Sequence, residues 1–275
     1  MLKNAFYDQV MPQLPKKWMS HWVGSAAHLQ LPARITQTLI RSFVKLYKIN
    51  TLEIEKPLEE YQSLGEFFSR KLREGARPIQ GDLVHPCDGL LVQSGFIHDQ
   101  LLIQAKGKTF KLNEFVPGNP WAGDFEEGTF FNYYLAPHNY HRVHSPLTGE
   151  IQWSMVIPGE LWPVNSWSVR NKEGLYAINE RVAVGIQTSQ GKMILVMVGA
   201  TNVGSMSFSF DPNIRTNRRQ NAERVYRAYP ESRAIQVGEE FGVFHLGSTV
   251  VTLFEKSFDR QLLEKQKVLM GQPVQ

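Results

Sequence analysis

The sequence predicts an α+β fold, an N-terminal helical segment followed by a mostly antiparallel β core. Three observations carry this. Before residue 80 the apolar residues recur at helical spacing. After about residue 82 short apolar runs alternate with glycine-punctuated turns, the pattern of antiparallel strands. A block of helix followed by a block of strand, without βαβ alternation, marks α+β. Finally, 275 residues with 42% apolar and 20% charged side chains can bury a sizeable core and exclude a disordered chain. The division expected is a helical segment over 1–80 and a β-rich core over 81–275.

The N-terminal segment is basic. Residues 1–50 hold seven Lys or Arg against one acid, Asp8, so the chain's net charge of +4 is concentrated there. Trp18 and Trp22 lie in the same segment, and cations with aromatics suit an anionic membrane surface. No nucleic-acid motif accompanies the charge, so nucleic acid is not an expected partner. Asp8, Pro12 and Pro15 interrupt any secretory apolar stretch, and the longest clean apolar run, MILVMV, is far too short to span a bilayer.

Residues 33–49 predict an amphipathic helix, with Ile35, Leu39, Phe43, Leu46 and Tyr47 near one face and Arg34, Arg41, Lys45 and Lys48 elsewhere. The stretch SLGEFFSRKLREGARPI predicts another, capped by Ser63 with Glu66 three residues on and ended by Gly75 and Pro78. Strand-like runs follow from GLLVQSGFI to FGVFHLGSTVVTLF, and QTSQGKMI reads as a hairpin.

Three clusters could carry chemistry. Asp88 stands in VHPCDGLL; a lone Asp-Gly, taken by itself, reads as a turn. His138, His141 and His144 crowd YYLAPHNYHRVHSPLTG. Gly247, Ser248 and Thr249 interrupt the apolar run near the C-terminus. The single cysteine, Cys87, allows neither an intrachain disulfide nor a CxxC site, and the histidines lack further ligands at zinc spacing, so no metal is expected. An Asp, a His and a Ser can form a triad in any chain order: the His takes the Ser proton and the Asp orients the His. No G-x-S-x-G elbow is present, and composition alone leaves this open.

From LGEFFSRKL through HPCDG, YHRVHSPLTG, PVN, NERV and VGATNVGS to HLGSTV, the chain resembles the phosphatidylserine decarboxylases, in that family's order. One departure is Asn139, where the family usually carries an acid before Tyr-His-Arg. The resemblance implies self-cleavage of the Gly247–Ser248 bond. The Ser248 hydroxyl attacks the Gly247 carbonyl, elimination leaves a dehydroalanine, and hydrolysis releases ammonia and a pyruvoyl group at position 248. Asp88, His144 and Ser248 would be the triad, with His141 supporting or near the substrate. The pyruvoyl ketone would form a Schiff base with phosphatidylserine, accept the electrons of the departing carbon dioxide, and release phosphatidylethanolamine. The implied place is the cytoplasmic side of the cell membrane, held peripherally. The partners are the lipid and the two chains of one precursor; a homodimer stays open. Two other readings compete: a serine hydrolase with Ser248 intact, and a non-catalytic lipid-binding module.

Overall fold

Helix α1 (Ala33–Tyr47) is where apolar spacing first becomes structure in the computed structural model, which describes residues 26–105, 108–201, 205–214, 216–217, 223–245, 248–255 and 265–274. Trp18 and Trp22 lie outside the described residues. Thr36 and Ile40 are buried in α1, and Phe43, Val44 and Tyr47 pack on a small core with Ile54, Tyr61 and Phe67. The apolar arc is wider than that contact. Ile35, Leu39 and Leu46 stay 50%, 44% and 73% exposed. The expected single face is thus split into a packed half and an open half.

Helix α2 (Leu64–Phe68) starts as its sequence demands: the Ser63 hydroxyl accepts from Glu66 N at 3.1 Å. The Glu66 carboxylate reaches back to Gln62 N at 2.8 Å, one residue earlier than a standard capping box. The helix is much shorter than its periodicity predicts, because tertiary contacts take over at its end. Glu55 N donates to Lys71 O, and Arg73 N to Glu53 O, drawing residues 71–73 against 53–55. Arg70 turns inward onto the carbonyls of His138 and Asn139.

Among the described residues fourteen strands follow: β1 (Gly89–Phe96), β2 (Leu101–Ala105), β3 (Lys108–Lys111), β4 (Thr129–Leu135), β5 (Arg142–His144), β6 (Gly149–Ile157), β7 (Arg181–Thr188), β8 (Gly191–Val198), β9 (Met206–Phe208), β10 (Val225–Ala228), β11 (Ala234–Ile235), β12 (Glu240–Phe244), β13 (Ser248–Phe254) and β14 (Gln266–Val268). The main sheet runs β10-β6-β7-β8-β13-β4-β1-β14, with β11 also on β6; β5-β12-β9 form a second sheet and β2-β3 a ribbon. All the strand pairs are antiparallel. The hairpin expected at QTSQGKMI joins β7 to β8, closed by Thr188 Oγ1 on Gly191 O at 2.7 Å.

The centre of the main sheet is buried on both faces. In β8, Met193, Leu195 and Met197 enter one core, while Ile194, Val196 and Val198 enter the other. This explains why MILVMV is continuously apolar. Strand β13 lies beside it, between β8 and β4, so the chain after position 248 threads the middle of the sheet.

Candidate active site

The chain reaches position 248 from one sheet and leaves it in another. Strand β12 ends at Phe244 in the small sheet, and β13 begins at Ser248 with its backbone in register with Leu135 of β4. The run read as one interrupted strand is therefore two strands. Ser248 and Thr249, the small hydroxyl residues of the interruption, are the first two residues of β13.

His141 ties the two sides together. It is fully buried and stacks on Phe68 with ring centroids 4.0 Å apart. Its Nε2–H donates to Ala136 O at 3.1 Å, one residue past the partner of Ser248. Its own carbonyl accepts from Phe244 N at 3.0 Å, at the end of the strand before the crossing. Burial, with the positive charge of Arg70, lowers its pKa to about 3, so the ring is neutral.

His144 closes β5, opposite Glu240 of β12. Its Nδ1 lies 2.8 Å from Gly238 O, and its Nε2 lies 3.0 Å from the Tyr140 hydroxyl. A carbonyl can only accept, so Nδ1 carries the proton and Nε2 is the basic nitrogen. Burial lowers the His144 pKa, partly offset by the bond to Gly238 and the charge of Glu240. Gly238 has φ +77°, the left-handed region, and a Cβ there would sit 2.2 Å from Ile79. Only glycine presents this carbonyl without strain.

Asp88 approaches from the start of β1. Its neighbour Gly89 is not a turn residue; it opens the strand where a Cβ would meet Tyr134 O at 2.6 Å. The Asp88 carboxylate is gripped by Arg77, with Nε at 2.9 and 3.1 Å and Nη2 at 2.7 Å, and accepts from Met270 N at 2.9 Å. Arg77 also reaches Glu53 at 2.8 Å. Burial works against the Arg77 charge, but Asp88 and Glu53 together raise its pKa. Asp88 therefore bonds Arg77, while His144 bonds Gly238 and Tyr140. The main chain still holds them close, through His144 N on Pro86 O at 2.8 Å, and the Asp88 charge favours the His144 cation.

A cavity of about 260 Å³ adjoins the site, lined in part by Lys48, Arg70, Arg77, Asp88, His138 and Tyr140. Burial, with the charge of Lys267, lowers the His138 pKa. Asn139 makes a bond despite its departure from the family pattern: its Oδ1 accepts from Ala136 N at 2.8 Å. Cys87 is a fully buried thiol, its pKa pushed up by burial and then by Asp88. Among the described residues no group of three or more His, Cys, Asp or Glu is placed to hold a metal.

Sequence reasoning singled out Asp88 and the histidines but missed Arg77, Tyr140 and Gly238. Tyr140 stands inside the YHRVH signal; Arg77 and Gly238 are distant in sequence and carry no local mark.

Comparison with known proteins agrees across nearly the whole chain. The family model described as phosphatidylserine decarboxylase matches residues 64–275, and one described as PSD matches residues 10–48. A phosphatidylserine decarboxylase proenzyme of Myxococcus xanthus is 36% identical over 99% of this chain and 99% of its own. Proenzymes of the same description from Vibrio vulnificus and Brevibacillus brevis are 38% and 37% identical, each over 94% of both chains.

Proposed function

The chain belongs to the phosphatidylserine decarboxylase family, and we propose that it is a proenzyme that cuts itself between Gly247 and Ser248 and then decarboxylates phosphatidylserine to phosphatidylethanolamine. The observation that carries this reading is the crossing at position 248, flanked by strands held in two different sheets. Cutting there leaves β12 and β13 each held by its own sheet. A pyruvoyl group at position 248 fits these surroundings: it would head a strand paired on both sides from Thr249 onward, opposite Leu135, whose neighbour Ala136 is held by the neutral His141 ring. When formed, that group supplies the electron sink for loss of carbon dioxide.

In this reading the chain's own residues take the following roles. His144 takes the Ser248 proton at Nε2, with Gly238 O fixing the tautomer and the Tyr140 hydroxyl, which donates to Nε2 in this structure, giving way. Asp88 favours the resulting imidazolium by charge, and Arg77 holds Asp88 in place. His141 sets the register between the segment before the cut and the strand facing it. After the cut His144 stays available to move a proton during turnover.

Residues 1–80 are read as the membrane-facing segment and 81–275 as the catalytic core. Among the described residues no helix is long and apolar enough to cross a membrane. The open half of α1, with Ile35, Leu39 and Leu46 exposed beside Arg34, Arg41 and Lys45, supports peripheral docking on the anionic cytoplasmic leaflet where the substrate lies.

Intact mass spectrometry of the purified protein beside Ser248→Ala tests the reading. Two chains parting after residue 247, the smaller lacking a free amino terminus and absent from the variant, are expected. A well-folded wild-type chain that stays whole and still hydrolyses esters would make Ser248 an ordinary nucleophile.

A further inference from the structure

We propose that Arg70 anchors the phosphodiester of the serine phospholipid in the cavity beside the 138–140 turn. The inference rests on the decarboxylase reading and names the group that positions its substrate.

Arg70 is 4% exposed and lines that cavity. Its Nη2 donates to His138 O at 2.9 Å and Asn139 O at 3.1 Å. Its Nε and Nη1 are buried with no hydrogen-bond partner, although the guanidinium lies 5.2 Å from the Phe67 ring centroid. Arg181 shows what a purely structural buried arginine looks like here: its Nε, Nη1 and Nη2 each donate to a carbonyl, of Phe115, Asn179 and Glu114. Buried donors left unfilled are costly, and Arg70, a residue of the cavity wall, leaves two of them. The anion would engage them as the side chain turns toward the cavity.

The local charge favours an anion. Lys48, Arg70 and Arg77 line the cavity against two carboxylates, Glu53 and Asp88, and Arg77 binds both of those. Neither Lys48 nor Arg70 forms an ion pair among the described residues. The planar guanidinium keeps one free N–H group on each of two edges, Nε and Nη1, so either edge can donate to an oxyanion. At about 260 Å³ the cavity is below the roughly 300–1,000 Å³ of drug-sized sites, the scale of a head group and not of acyl chains.

The head group carries two oxyanions, and the reaction distinguishes them. An ion pair to the carboxylate would be lost as carbon dioxide forms, stabilising the ground state over the transition state. The phosphodiester keeps its charge throughout. The cavity is also placed for it: Leu135 pairs with Ser248, and the turn from Ala136 to Asn139, closed by a 2.9 Å bond, leads directly to His138 and Tyr140 in the wall.

The test uses processed wild-type, Arg70→Met and Arg70→Lys enzymes on dispersed short-chain phosphatidylserine, with inorganic phosphate as inhibitor. Arg70→Met should raise KM about 10- to 100-fold while kcat changes less than about threefold. Arg70→Lys should recover part of the loss, and phosphate should compete with substrate in wild type only. Equal loss through kcat, or wild-type activity indifferent to phosphate, overturns the proposal. A calorimetric arm uses the uncut Ser248→Ala chain, so it reads the cavity even if wild type proves unable to cut itself or decarboxylate. Glycerophosphoserine and glycerophosphoethanolamine should both bind there and free serine should not; binding of serine without glycerophosphoethanolamine would assign Arg70 to the carboxylate and overturn the proposal.

Discussion

At His144 a single hydrogen bond decides which nitrogen can act. The Gly238 carbonyl claims the proton at Nδ1, leaving Nε2 as the base. Burial favours the neutral ring, so the folded pKa lies below the ordinary value of 6.5. The sign follows: the competent, neutral form dominates above pH 6.5 and is lost only as pH falls through the lowered value. Self-cleavage, followed by mass spectrometry after a pH jump, should therefore be level at pH 7–8 and decline on acidification. His144→Ala should slow it about 10²- to 10⁴-fold across that range. Asp88 and His144 were legible as candidates because chemistry-bearing residues cluster in HPCDG and YHRVH. Their partners were not. Arg77 and Gly238 meet them only through the fold, and the sequence reading had Asp88 orienting His144 where the structure shows Gly238 in contact. The contents of a buried polar network depend on which chain segments are brought together, and no periodicity encodes that.

At the scale of elements, the strands were readable wherever one sheet face or both had to be apolar. Helix α2 was not, because Arg70 and the pairing of residues 71–73 with 53–55 override a helical pattern. Helix α1 was half legible: its apolar arc was plain, but only the packed part answers to the core. The open part has a measurable consequence. Arg41 is a surface cation whose ion pair with Glu59 is exposed, so it adds little to folding. Arg41→Glu together with Lys45→Glu should leave the melting temperature nearly unchanged. It should weaken sedimentation with phosphatidylserine-containing vesicles by at least about tenfold, at about 1 kcal/mol per surface charge, and the difference should shrink in high salt. Unchanged vesicle binding would return α1 to a purely structural role.

For the whole molecule, the placement of β13 governs what the cut can do. It pairs with β4 on one side and β8 on the other, and β14 of the same segment pairs with β1. Val250, Val251, Leu253 and Phe254 fill the cores on both faces. Residues 248–275 should therefore stay bound when the peptide bond is gone. Native mass spectrometry should show one species near the 31.5 kDa of the whole chain, while denaturing conditions release two. The architecture also changes the molecularity of folding. The uncut chain closes its sheet by a unimolecular reaction, with the central strand tethered to the rest. Once cut and unfolded, the same strand must find its slot by a bimolecular encounter. The Ser248→Ala chain should refold at a rate independent of dilution, and the processed enzyme at one that falls with it. Each molecule thus has one tethered folding, before the cut, in which to become an enzyme.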